Sequence, residues 1–334
     1  MRGGMPNAYP STATFGDVAR DWLIQLDELV RTGRRSPSTV ALYRHALDRH
    51  VLPAVGKLRL SELTPARLDH FLHLKRSQSG YATAKLCRAI LSGVCGVAVR
   101  RDALRVNPVR DVSSLETHGE PEARALTIAE IHQWLTILDG DVFARHKDLP
   151  DLARFLIGTG CRLGEAVGVH WEDVDLERQV LQVRRTVIRV RGQGMIAKRP
   201  KSRAGERTLR LPLWLVAMLR ERRRTSLEQT VLFPDALGGY RDRNNIEKDF
   251  RKVRHGTPFE WVVPHTYRKT VATLLDAGGL SARTIADQLG HSRISMTQDV
   301  YMGRRAVDAA AASALDTLFN GPDDDPQPGL FAVS

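Results

Sequence analysis

Residues 264–305 read PHTYRKTVATLLDAGGLSARTIADQLGHSRISMTQDVYMGRR. Apolar residues recur at three- and four-residue steps, interrupted by the Gly278–Gly279 pair and by Gly290, which predicts helices over His265–Asp276 and Ser281–Leu289. Four side chains stand out against that frame: His265, Arg268, His291 and Tyr301. His265 and Arg268 are three residues apart, so on one helix they share a face and can reach a single phosphate. Taken singly, each has an ordinary structural explanation, a salt-bridged arginine, a hydrogen-bonded histidine or a core tyrosine.

Upstream, TGCRLGE (159–165) sets Arg162 just after Gly158 and Gly160, where one helix gives way to the next and both backbone and guanidinium can approach an anion. Cys161 beside it reads as a small buried residue and Trp171 as packing beneath a sheet. Residues 179–192 (QVLQVRRTVIRVRG) and 194–213 (GMIAKRPKSRAGERTLRLPL) alternate apolar with polar residues, which predicts a small antiparallel sheet between two helical regions. Helical patterning resumes at Pro212 and again over residues 304–319.

The N-terminal third is patterned as helices alone. FGDVARDWLIQLDELVRTG (15–33) steps through Phe15, Val18, Trp22, Leu26 and Leu29 behind a Thr14 cap. Ser36-Pro37 and Thr64-Pro65 open two further helices, proline being tolerated where its missing N–H has no partner to lose. Pro53 is expected to stop the first of these, and residues 81–104 supply a longer helix. The expected organisation is a helical bundle over 12–110, a polar linker over 111–123 (DVSSLETHGEPE over 111–122), a second unit over 124–320 opened by a Thr127–Glu130 capping box, and an acidic tail over 321–334. The fold class is therefore mainly α with a small antiparallel β-sheet (α+β).

With 334 residues, 42% hydrophobic and 26% charged, the chain is long and apolar enough for two domains with separate cores. Its net charge is +12 and arginine supplies most of the 50 basic residues, which points to a polyanionic partner, although a basic surface can serve solubility alone. Cys87, Cys95 and Cys161 form no CxxC pair, so neither a disulfide framework nor a zinc site is expected, and no GxxxxGK[ST] loop offers a nucleotide a cradle. No signal-peptide core is visible at residues 1–17, nor any uninterrupted run of about 20 apolar residues, so the expectation is a cytoplasmic protein with no membrane contact.

TGCRLGE, HTYR, LGH and a tyrosine ten residues further on, in that order behind a helical bundle, resemble the tyrosine recombinase (phage integrase) family, and the resemblance covers most of the chain. It implies an N-terminal core-site DNA-binding bundle and a tyrosine-recombinase-like catalytic domain that close around double-stranded DNA as a clamp. The family's hairpin lysine falls on Lys201 in PKSRAGERTLRLP (200–212), with Lys198 as the alternative and Arg207 leading the returning strand.

Phosphoryl transfer needs an in-line nucleophile and compensation of charge on the non-bridging oxygens. Arg162 and Arg268 would hold those oxygens as fixed cations, so no metal or other cofactor is expected. Tyr301 would attack, His265 would accept its proton, Lys201 would protonate the departing 5′-oxygen, and His291 would hydrogen-bond the phosphate. Glu165 would orient a guanidinium or imidazole from behind. The covalent 3′-phosphotyrosyl ester conserves the bond energy for rejoining.

The family further implies a homotetramer on synapsed duplexes, with a C-terminal helix (Val307, Ala311, Leu315, Leu318) exchanged between protomers, an accessory directionality protein in some systems, and a bacterial phage or mobile-element setting. A nonsynaptic type IB topoisomerase and a catalytically inactive DNA-binding protein remain the alternatives. For six to ten phosphate contacts, DNA affinity measured by gel shift is expected to fall roughly 10³- to 10⁵-fold between 50 and 200 mM salt; a flat response would count against a phosphate-led interface.

Overall fold

The computed structural model describes residues 9–115, 124–190, 192–200, 203–225 and 229–291. Lys201, Tyr301, residues 116–123, the 304–319 segment and the acidic tail lie outside them.

The first unit is helical: α1 (Phe15–Arg31), α2 (Pro37–Ala46), α3 (Leu52–Val55), α4 (Pro65–Ser79) and α5 (Tyr81–Arg100). Thr14 caps α1 reciprocally, its hydroxyl accepting from the Asp17 N–H at 3.3 Å while the Asp17 carboxylate accepts from the Thr14 N–H at 2.9 Å. Phe15, Val18, Trp22 and Leu26 are buried as their spacing requires, and the Trp22 ring stacks on Tyr43 at 5.6 Å. Pro53 does not end its helix as expected. A π-turn over Leu47–Val51, in which the Leu52 N–H reaches back to the Leu47 carbonyl, absorbs the disruption, and the chain continues into α3 with Pro53 in its first turn.

Helix α5 is long and apolar enough by length and composition to cross a membrane, although Lys85 and Arg88 interrupt its apolar run, and here Ile90, Leu91, Val94 and Cys95 are buried in the bundle core. The bundle also reaches beyond residue 110. Val112 is buried against it, Arg88 donates to the Val112 and Ser113 carbonyls, and Asp69 accepts from the Ser113 N–H and hydroxyl.

The second unit runs α6 (Ile128–Gly140), α7 (Val142–His146), α8 (Leu149–Thr159), α9 (Leu163–Ala166), β1 (Val174–Asp175), β2 (Val180–Val183), β3 (Thr186–Val190), β4 (Gly194–Lys198), β5 (Arg207–Arg210), α10 (Leu213–Thr225), α11 (Arg243–Arg254), α12 (Pro264–Ala277) and α13 (Ala282–Leu289). The expected sheet is present as two antiparallel pieces, β1-β2-β5 and the β3–β4 hairpin. Leu181, Val183 and Leu209 point inward, with Leu181 opposite Leu209 and Val183 opposite Arg207. Helix α11 has no counterpart in the sequence reading. It carries only Ile246, Phe250 and Val253 on its buried stripe among charged residues, behind an Asp242 cap.

Helix α12 is the spine of this unit. Tyr267 faces the core and accepts from the buried Trp134 indole N–H at 2.7 Å, while the Thr270 hydroxyl accepts from the Leu126 N–H at 2.9 Å. Tyr267→Phe would leave that indole N–H without its acceptor and is expected to destabilise the protein by about 1–3 kcal/mol in urea denaturation. An unchanged unfolding midpoint would show that the bond contributes nothing.

Candidate active site

Helix α8 ends at Gly160, whose φ of +67° is the left-handed conformation that suits a glycine cap. A Cβ there would come within 2.7 Å of Leu289 Cδ2. The reversal delivers Arg162 to the first residue before α9, its side chain 44% exposed, and Glu165 one turn later, buried. Glu165 reaches back to the Arg162 N–H at 3.1 Å with one oxygen and takes Arg162 Nη1 at 2.8 Å with the other. Arg207 Nη2 completes the cluster, 3.0 Å from Glu165 Oε2. Burial alone would raise the Glu165 pKa, but the Arg207 and Arg162 guanidiniums outweigh it and hold the carboxyl below its ordinary value.

Pro264 occupies the first turn of α12, and the Val263 N–H donates to the Thr266 hydroxyl at 3.0 Å. His265 lies on the exposed side of that turn, and Arg268, one turn on, is 1% exposed. The Arg268 guanidinium donates to the Gly160 carbonyl at 2.8 Å and the Leu289 carbonyl at 2.5 Å, joining the C-terminal ends of α8 and α13. Gly290, with φ of +67°, then turns the chain so that the His291 N–H donates to the Ala286 carbonyl at 2.9 Å and the imidazole is buried.

Both histidines have pKa values lowered from that of a free imidazole. Desolvation is the largest cause of the lowered His265 pKa, followed by the Arg268, Arg162 and Lys269 cations. For His291 desolvation, then Arg268, Arg162, Arg207 and His265, lower it to about 4. The structure thus brings Arg162, Glu165, His265, Arg268 and His291 into one electrostatic neighbourhood. With its three guanidiniums (Arg162, Arg207, Arg268) against one carboxylate (Glu165), this cluster carries net positive charge.

Lys198, the alternative hairpin lysine, closes β4 with Nζ 3.0 Å from the Ser36 hydroxyl of the first unit. Lys201 and Tyr301 lie outside the described residues. The sequence reading gave no role to Arg207 or Lys269, and Lys269 is buried beside Arg268. A signal existed for Arg207. In β5 it shares the parity of Leu209 and Leu211, so alternation turns a charged residue inward. Among the described residues no three His, Cys, Asp or Glu side chains are grouped so as to hold a metal ion.

The model of the phage integrase family matches residues 125–306, and that of the phage integrase central domain matches residues 15–115. A tyrosine recombinase XerC-like protein of Caldanaerobacter subterraneus subsp. tengcongensis is 27% identical over 95% of this chain and 85% of its own length. Among solved structures, the Tn1549 transposon integrase in complex with a circular intermediate DNA superposes with a TM-score of 0.74 at 20% identity, over 91% of this chain and 99% of that one. A lambda integrase tetramer bound to a Holliday junction gives 0.62 at 17% identity, over 83% and 78%. With both of its units matched in order, the chain belongs to the phage integrase family and is a tyrosine site-specific recombinase.

Proposed function

We propose that the chain cleaves and rejoins double-stranded DNA with Tyr301 as nucleophile and the Arg162–Arg268 pair as the clamp on the scissile phosphate. The observation that carries this reading is the buried Arg268, fixed by two carbonyls within the same cationic cluster as the half-exposed Arg162 and two neutral imidazoles. A guanidinium locked in place before the phosphate arrives needs no reorganisation as charge develops, and in a desolvated site that preorganisation is worth more than in water.

In the forward step the Tyr301 oxygen bonds to phosphorus as the bond to the 5′-oxygen breaks. His265, unprotonated at neutral pH, accepts the phenolic proton. A hairpin lysine, Lys201 or else Lys198, protonates the leaving oxygen. His291 hydrogen-bonds the phosphate, and Glu165 fixes Arg162 from behind. The product is a 3′-phosphotyrosyl ester and a free 5′-hydroxyl, and the reverse step on a new strand completes exchange without a nucleotide or other cofactor.

The DNA-bound solved structures support DNA as the partner, which we place as a core-site duplex between the two units, and the Holliday-junction tetramer supports a homotetramer on synapsed DNA. We assign the bundle to core-site binding (12–110, with 111–115 packed onto it), the rest of the expected 111–123 linker to the connection, 124–320 to catalysis and 321–334 to a tail. The cellular setting is the bacterial cytoplasm, at the nucleoid when bound, on a phage or other mobile element, with any directionality protein acting at the same DNA.

Duplexes selected for binding from a randomised pool and nicked at successive positions provide the test. A denaturant-resistant protein–DNA adduct is expected with the wild type and absent with Tyr301→Phe; an adduct that survives the substitution would overturn the mechanism. Arg162→Ala and Arg268→Lys are expected to slow adduct formation about 10²- to 10³-fold with gel-shift affinity nearly unchanged, lysine being chosen at 268 to keep a charge beneath two buried carbonyls. An equal loss of binding would remove the transition-state role. Because the free-enzyme pKa of His265 is lowered, the base stays competent as pH falls through about 6.5, and the acid limb of kcat/KM should lie below that value. A limb above it would exclude His265 as the base.

A further inference from the structure

Arg207 makes contacts that an ordinary strand arginine would not. It opens β5 opposite Val183, and its side chain is 7% exposed. Nε donates to the Gln288 carbonyl at 2.8 Å, Nη1 to the Gly205 carbonyl at 3.2 Å and Nη2 to Glu165 Oε2 at 3.0 Å, with Cys161 Sγ 3.7 Å away. One planar fork therefore ties together the start of α9, the end of α13 and the loop that leads back from β4. The packing is tight enough to dictate its neighbour: a Cβ on Gly290 would lie 2.7 Å from Arg207 Nη1 and 2.7 Å from the Ala204 carbonyl.

We infer that Arg207 is a positioning residue for strand cleavage, holding Glu165 so that Arg162 is aimed at the phosphate and locking the α13 terminus that presents His291. The inference rests on the proposed phosphate-binding roles of Arg162 and His291. Glu165 has two oxygens and two guanidinium partners, so fixing Oε2 on Arg207 sets the plane in which Oε1 can hold Arg162. The Gln288 carbonyl precedes Leu289, whose own carbonyl receives Arg268, so Arg207 and Arg268 grip adjacent peptides of one helix end. Lysine would keep the charge but not the three-directional fork.

Arg207→Gln and Arg207→Lys in the full-length chain test this through cleavage of the selected nicked duplexes and through NMR titration of the His291 imidazole without DNA. Expected for Arg207→Gln is a 10- to 100-fold slower adduct formation with unchanged gel-shift affinity and a cooperative thermal transition, and partial recovery of rate with lysine. Besides its desolvation, His291 senses Arg268, Arg162, Arg207 and His265, so its titration midpoint, expected near 4 in the wild type, should rise in Arg207→Gln and less in Arg207→Lys.

Wild-type cleavage by Arg207→Gln with an unmoved His291 midpoint would overturn the inference. Loss of the folded transition in both variants would do the same, reducing Arg207 to a structural clasp. A wild type that forms no Tyr301-dependent adduct would strike instead at the proposed mechanism, leaving the His291 midpoint to decide whether Arg207 shapes the cluster.

Discussion

A buried guanidinium is the constraint around which the catalytic unit is built. Isolated from water, the Arg268 charge would cost several kcal/mol, so the fold must surround it with acceptors whose geometry is already fixed. It uses the last carbonyls of two helices, Gly160 after α8 and Leu289 in α13, where the aligned peptide dipoles concentrate negative potential. Both chains must then leave their helices at once, and both do so through left-handed glycines, Gly160 and Gly290. Just beyond those exits lie two residues assigned above to the phosphate, Arg162 two positions after Gly160 and His291 directly after Gly290. Solvating the cation and placing the site are the same structural act.

The same economy governs charge. Glu165 is the carboxylate that holds two of the cluster's guanidiniums, shared between Arg162, which keeps an open side, and Arg207, which is enclosed. That division leaves positive charge where a phosphate would arrive and neutralises it where none could. The histidines follow from it, since partial desolvation and the neighbouring cations lower the pKa of both. A proton acceptor beside fixed cations is what an attacking phenol needs, and the environment supplies it without a second carboxylate competing for the phosphate's place.

Much of this was legible in the sequence because the residues involved obey local rules. Thr14 and Thr127 cap helices with the acid three residues on, and HTYR lies on a helix whose apolar spacing is regular. Arg162, Glu165, His265, Arg268 and His291 could be picked out, but their grouping came from resemblance, since no local rule brings residues 162 and 268 together. The failures share a cause: nonlocal compensation. Pro53 is tolerated because a π-turn five residues long opens before it, and α11 hides because three apolar residues suffice when the other side is water. Residues 111–115 look like linker by composition yet are pinned by Arg88 and Asp69 from elsewhere in the bundle. Arg207 was legible only as the head of the returning strand, and the inward parity it shares with Leu209 was the one local mark of its burial.

The link between the two units has a different character from the catalytic cluster. Each unit has its own apolar core, whereas a described tie across them is polar, Lys198 Nζ on the Ser36 hydroxyl at the start of α2. A hydrogen bond of that kind contributes about 1 kcal/mol net, because water replaces it when it opens. The buried Arg268 and Glu165 networks have no such substitute and would cost far more to disrupt. On the clamp proposed above, which would admit a duplex between the units and then hold one phosphate rigidly, this difference in strength would be useful. In that proposal, opening would proceed at the polar tie while the cluster around Arg268 stayed assembled, and the geometry meeting the DNA would not have to be rebuilt at each closure.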